Sequence, residues 1–297
     1  MNPAPIAVFA YNRPQHLHRT VEALRQNSAA SASPLHVFCD GPKFRENEAA
    51  VSQVRAFART IEGFVSVTVH EQELNRGLAG SIIAGVTRLC EDFGRIIVVE
   101  DDLLVSPRFL DYMNRALDRY EAEPGVMQIS GHMFPVRVAV SEDAFFLPFV
   151  TSWGWATWAR AWRWFDADAK GYARLSADPV LRRAFNMDGA YDYFGMLAKQ
   201  QRGEVDSWAI RWNLSVFLQG GLVLYPRRSL VRNLGFDGSG VHTRGESPDR
   251  EIDPDFDPRV FPPVALREAV QEQVFDYFRA RNTLRSRVRQ AVARLLS

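Results

Sequence analysis

Ile96-Ile97-Val98-Val99, introduced by Arg95, is an unbroken apolar run that stops on three consecutive carboxylates, Glu100-Asp101-Asp102. A short run of aliphatic residues without polar alternation reads as a strand buried on both faces. The preceding hundred residues repeat the theme. Pro5 to Ala10 and Leu35 to Cys39 are apolar strands closed by the turns Tyr11-Asn12-Arg13-Pro14 and Asp40-Gly41-Pro42, and Val65 to Val69 is a third strand. Between them, His16 to Gln26, Glu46 to Thr60 and Ala79 to Glu91 carry apolar residues at helical spacing. Strands alternating with helices predict an α/β fold, a Rossmann-like, mostly parallel sheet flanked by helices. Ligands of such sheets bind beyond the carboxyl ends of the strands, where all the polar turns just named fall.

Three acids at the end of a buried strand repel one another unless a positive charge offsets them. A hard divalent cation held by one or two carboxylates together with substrate phosphates does so. A solvated boundary between strand and turn is the plainer reading. Asp40 offers an acceptor for the imide of uracil or for a base amino group, but Asp-Gly is also a common turn. Arg13 is placed to reach a base or a phosphate, or is a surface arginine beside Pro14. Asn75-Arg76-Gly77 opens a helix whose first amides can meet a phosphate, although the segment is neither a Walker A loop nor GxGxxG.

The second half has a different texture. All seven tryptophans lie between Trp153 and Trp212. Trp155, Trp158 and Trp162 fit one helix face and read as core, whereas Trp153, beside Gly154, sits in a loop-like position suited to an acceptor pocket. Asp206 is placed either as the N-cap of a helix beginning near Trp208 or as a general base, with Glu204 as the second candidate. The Gly/Asp/Pro-rich stretch from Asn233 to Pro263 reads as a lid. Within it, His242 either approaches a metal or diphosphate or is merely solvated. From about Phe275 to Leu296, an apolar stripe at Leu284, Val288, Val292 and Leu295 is surrounded by arginines. That helix either packs on the catalytic domain or makes peripheral contact with an anionic membrane, where each basic residue contributes about 1 kcal/mol.

The chain is long enough for one large domain or two lobes. Three segments are expected: a nucleotide-binding half at 1–130, an acceptor half with a flexible loop at 131–263, and the basic C-terminal helix at 264–297. A formal net charge of +1 argues against a nucleic-acid partner. Cys39 and Cys90 form no CxxC pair, which argues against a disulfide framework or structural zinc. Met1 to Pro5 has neither the basic start nor the apolar core of a signal peptide, so a cytoplasmic location is expected, peripheral to the inner face of the membrane if the C-terminal helix binds lipid.

Taken together, Ile97 to Leu103, Val105 to Tyr112, Phe149 to Trp155 and the Asp206-Ser207-Trp208 region resemble GT-A glycosyltransferases, in particular N-acetylglucosaminyltransferase I and its bacterial relatives. The resemblance covers about two-thirds of the chain and implies a GT-A fold with an acceptor-side lobe. It implies an enzyme that takes a nucleotide-sugar donor, UDP-linked in that family's habit, and a glycan or lipid-linked acceptor of surface-glycan assembly. By resemblance, Asp102 binds Mn2+ or Mg2+, Asp101 the ribose and Glu100 the donor sugar. Arg13 and Asp40 are the uridine contacts, and Asp206 is the base of an inverting displacement without a covalent intermediate. The family's base adjoins the tryptophan, where this chain has Ser207, so Asp206 is shifted by one residue. A sugar-phosphate nucleotidyltransferase would need a Gly-rich basic loop after the first strand, which Tyr11-Asn12-Arg13-Pro14 is not. A non-catalytic glycan-binding protein would keep the aromatics without needing three adjacent acids.

Overall fold

The computed structural model describes residues 3–237 and 251–282. Its first half is a strand-helix alternation: β1 (Ile6–Ala10), α1 (Pro14–Arg25), β2 (Pro34–Cys39), α2 (Glu48–Ala58), β3 (Ser66–Glu71), α3 (Gly77–Phe93) and β4 (Arg95–Glu100). The strands lie parallel in the order β3-β2-β1-β4. Their side chains alternate between two helix-covered faces. Ile97 and Val99 share one core with Leu17, Val21 and Leu24 of α1, while Ile96 and Val98 join Ile82, Val86 and Leu89 of α3 on the other. This double burial explains why the strands carry no polar alternation.

After the acids come β5 (Leu103–Val105), α4 (Phe109–Arg119), β6 (Val126–Ser130), β7 (Ala144–Leu147), β8 (Trp155–Trp158) and α5 (Ala159–Trp162). A helical group follows, α6 (Tyr172–Ala177), α7 (Pro179–Phe185), α8 (Tyr193–Gln201) and α9 (Trp208–Leu218), and then β9 (Leu222–Pro226), β10 (Val231–Asn233) and α10 (Glu268–Asn282). The sheet continues as β4-β8-β6-β9-β7, eight strands in all, with β8 antiparallel to both of its neighbours. One sheet therefore crosses the boundary expected at residue 130. The helices α6 to α9 form an added lobe with a small core of its own around Leu175, Phe185, Leu197 and Leu214.

One sequence expectation changes and two others are narrowed. Trp155 and Trp158 lie on a strand, not a helix; their spacing of three puts them on opposite faces, Trp155 against α3 and Trp158 against α4. Both are nonetheless core, and the Trp155 ring stacks on Trp208 at 4.9 Å. The stretch read as a lid is anchored at both ends. Asn233 closes β10, which pairs with β5, and beyond the gap Phe256 is buried in the main core while Val260 O accepts from Asp143 N at 2.9 Å. The described part of the C-terminal helix packs Val270, Val274 and Phe275 into the α3-side core, and Arg279 pairs with Glu272 and Asp276. The stripe Leu284 to Leu295 and His242 lie outside the described residues. Among the described residues, no helix is long and apolar enough to cross a membrane.

Candidate active site

The register of β1 with β4 sets Phe9 opposite Glu100, which brings the turn after β1 against the acids. Asp101 N donates to Phe9 O at 3.0 Å, and Thr20 Oγ1 of α1 donates to Asp101 O at 2.7 Å. By strand alternation Glu100 faces the α3 side and Asp101 the α1 side. Asp101 there meets Tyr11 N and the guanidinium of Arg13, which also reaches Asp102 Oδ2 at 3.0 Å. Arg13 stands at the N-cap of α1, a poor place for a cation, and two carboxylates offset that.

Three acids facing one arginine leave the site short of positive charge. Burial, then the Asp102 and Asp101 carboxylates, push Glu100 well above the usual carboxylate range. Burial pushes Asp101 up to about 6 even though Arg13 pulls it down. Arg13 is held above its ordinary value, because the two carboxylates outweigh its burial.

Asp102 is 7% exposed, and its two oxygens have different surroundings. Oδ2 meets Arg13 and lies against Gly235, where an added Cβ would sit 2.5 Å from it. Oδ1 is buried and has no hydrogen-bond partner among the described residues. A buried carboxylate oxygen without a partner is costly, so it calls for a ligand. Leu234 N donates to Asp102 O at 2.8 Å and Gly235 N to Asn233 Oδ1 at 2.7 Å, which holds the chain after β10 tightly over the acid. His16 Nε2 and Asp237 Oδ2 lie 3.1 Å apart just beyond. Gly235 is therefore a close-approach residue.

Among the described residues no group of three or more His, Cys, Asp or Glu side chains is arranged to hold a metal. The donor set fits instead a hard cation bound through one carboxylate oxygen, Asp102 Oδ1, with its remaining ligands drawn from phosphates and water.

Asp40, Asn75 and Arg76 meet at the ends of β2 and β3, in a different arrangement from the one expected. Asp40 Oδ1 accepts from Gly41 N (2.9 Å) and Arg76 N (2.8 Å), and Oδ2 from Gly77 N and Asn75 Nδ2 (both 3.0 Å). Its four acceptor positions are filled from within the chain. The anion at the start of α3 is thus Asp40 itself, and the amides of Arg76 and Gly77 are not left for a phosphate. Asp40 positions the turn rather than presenting a bare carboxylate to a base. The Arg76 side chain is exposed and lines a cleft of about 320 Å³ with Phe38, His70, Gln72 and Arg88. The cleft floor is planar, with the His70 and Phe38 rings stacked at 4.4 Å and His70 Nε2 lying 3.1 Å from His36 Nδ1. Burial, then His36 and Arg88, depress His70 to about 4, so it is neutral.

The two candidate bases lie on the segment that leads into α9. Ser207, not Asp206, caps α9, its Oγ accepting from Ile210 N; Asp206 pairs with Arg211 at 2.7 Å and is 65% exposed. Glu204 is exposed and turned to Arg202. A site that sequence reasoning had only touched through Trp153 lies next to α9. His132, Trp153, Tyr191, Tyr193 and Met196, with Ala209 and Ile210 of α9, line a cavity of about 230 Å³. The Trp153 ring meets Phe236 edge-on at 5.9 Å, and Phe236 follows the glycine on Asp102.

No family model matches the chain, and no curated protein sequence matches it significantly. Solved structures do show partial likeness. The chain is similar to the mannosyltransferase PcManGT from Pyrobaculum calidifontis, solved with GDP-Man and Mn2+, at 18% identity over 53% of this chain and 45% of that one, with a TM-score of 0.39. It is similar to residues 1–349 of S. aureus TarS at 10% identity over 79% of this chain and 61% of that one, with a TM-score of 0.43. For a longer TarS structure the figures are 14%, 50%, 25% and 0.33. The chain spans less than two-thirds of the length of each of these chains, and every score falls below 0.5.

Proposed function

We propose that the chain is a GT-A glycosyltransferase that moves a sugar, with inversion, from a nucleoside-diphosphate sugar to a hydroxyl of a glycan or lipid-linked acceptor. The observation that carries this reading is Asp102 Oδ1, a buried carboxylate oxygen without a partner among the described residues, at the carboxyl end of a central parallel strand. A divalent cation held there would supply the charge that stabilises a departing diphosphate.

The chain's own residues do the rest. Arg13 pairs with Asp102 through the other carboxylate oxygen, Oδ2, and with Asp101, which sets its planar guanidinium beside the cation position where it would meet a phosphate. Asp40 fixes the Asn75-Arg76-Gly77 turn, which sets Arg76 beside the flat, neutral floor of Phe38 and His70, a surface suited to a nucleobase. UDP is the donor class put first, on the sequence resemblance. Asp206 removes the proton of the acceptor hydroxyl, and its pairing with Arg211 keeps the carboxylate oriented. Gly235 and Leu234 close the site behind Asp102 and exclude water there.

The test is release of nucleoside diphosphate from a panel of UDP- and GDP-sugars, with Mn2+, with Mg2+ and with chelator. Metal-dependent release from one donor is expected; no release from any donor with either metal sinks the proposal. Asp206→Asn should lower turnover roughly 10²-fold, the scale of a lost general base, with donor affinity little changed. Turnover equal to wild type would pass the role to Glu204.

A further inference from the structure

The cavity between β6, α8 and α9 is linked to the acids through Trp153, which meets Phe236, the residue after the glycine packed on Asp102, yet it differs from them in chemistry. Among the described residues, its lining has no carboxylate, lysine or arginine. His132, its one titratable ring besides the tyrosines, is 3% exposed, and burial depresses it to about 3, so it is neutral. The walls are aromatic. Trp153 lies edge-on to His132 at 4.6 Å, and Tyr191 packs against Tyr193 at 4.7 Å. The polar groups sit among these rings: Ser152, and the Tyr191 hydroxyl, which faces the thioether of Met196 at 3.7 Å, a weak acceptor. A volume of about 230 Å³ suits one small ring rather than an extended chain.

We infer that this cavity, built on Trp153, Tyr191, Ser152 and Met196 and reached from Asp102 through Gly235 and Phe236, is a subsite for one uncharged pyranose ring of the acceptor. The inference rests on the glycosyltransferase reading and adds the class of acceptor to it. A pyranose has an apolar C–H face that lies flat on an aromatic wall and a rim of hydroxyls that takes Ser152 and Tyr191. A uronate or sugar phosphate would bring a charge into a lining whose described residues offer no cation to receive it. An acyl chain would leave the hydroxyl donors unused and needs a longer groove.

The full-length chain is titrated, with ligand-observed NMR and tryptophan fluorescence, against methyl pyranosides of several configurations, the matching uronates and a short alkanol. At least one methyl pyranoside should bind, its uronate about tenfold more weakly or worse. Trp153→Ala should weaken the pyranoside roughly tenfold, the scale of a lost aromatic anchor. Tyr191→Phe, which keeps the ring and serves if Trp153→Ala fails to fold, should weaken it several-fold. The inference is overturned if no pyranoside binds, if the uronate or alkanol binds better, or if both variants bind as wild type does. Binding of UDP and GDP with Mn2+ to the wild-type chain is measured alongside. Pyranoside binding without nucleotide binding would sink the transferase reading and leave the subsite standing, and nucleotide binding without pyranoside binding would do the reverse.

Discussion

At the ends of β2 and β4 the charged side chains are held by neighbours: Asp40 by four donors, Asp101 by Tyr11 and Arg13, Asp102 Oδ2 by Arg13. In the cavity beside α9 the rings are packed, but among the described residues the Tyr191 hydroxyl meets only a thioether sulfur, and Ser152 is half-buried. The first region is preorganised by hydrogen bonds and leaves one oxygen, Asp102 Oδ1, for a ligand. The second is preorganised by ring packing, with Asn213 Oδ1 accepting from Val150 N and Thr151 Oγ1 bonded to Ser130 Oγ, and leaves the Tyr191 hydroxyl on a weak contact. Hydrogen bonds therefore hold the charged groups of the first region, while the Tyr191 hydroxyl of the second is expected to be dispensable to the fold.

Asp40→Ala tests the first half of that contrast and should have the largest effect. It strips the acceptor from three backbone amides and Asn75, and should cost about 3 kcal/mol of stability, since each buried donor left unpaired costs about 1–3 kcal/mol. Denaturant unfolding measures it; a loss below about 1 kcal/mol, the scale of a single ordinary hydrogen bond, would mean that the turn holds without Asp40. Gly235→Ala comes next. Its Cβ would press on Asp102 Oδ2, and overpacking of this kind costs about 1–3 kcal/mol, here with weakened metal binding as well. An unchanged melting midpoint together with unchanged Mn2+ response would show that the segment after β10 can move aside. Tyr191→Phe should be nearly silent in unfolding, within about 0.5 kcal/mol, because the hydroxyl's sulfur contact is weak. A loss of 2 kcal/mol or so, as for a buried donor left unpaired, would erase the contrast.

The same contrast governs what the sequence reveals. The parallel half is legible because each element has one period and one job. The apolar runs of β1, β2 and β4 are buried on both faces, and the helices between them show one apolar side, so their positions emerge within a few residues. Acids following such a strand mark the site, since the fold offers one end for ligands. β8 defeats that logic. Trp155-Ala156-Thr157-Trp158 is buried on both faces, so it has no period of two, and its tryptophans happen to match a helical spacing. The cap of α9 fails for a related reason: Asp206 and Ser207 both cap well, and the choice turns on Arg211, five residues on, which claims Asp206. Gly235 is invisible as a site residue because its role depends on the pairing of β10 with β5, a contact between segments about 130 residues apart, as Asn233 and Leu103 show. Asp40 was legible as a polar strand end, but not as the internal anion of α3, because its partners Arg76 and Gly77 reach it only after β3 has been laid beside β2.

The account stands or falls on Asp102 Oδ1. Calorimetric titration of UDP and GDP into wild type and Asp102→Asn, each with and without Mn2+, addresses it directly. Wild type should bind one nucleotide at least about tenfold more tightly when Mn2+ is present, as expected for a cation shared between a carboxylate and phosphates. Asp102→Asn should keep its metal-free affinity and melting midpoint but lose that gain. An equal Mn2+ gain in both proteins would contradict the account, because the cation would then be held somewhere other than Asp102.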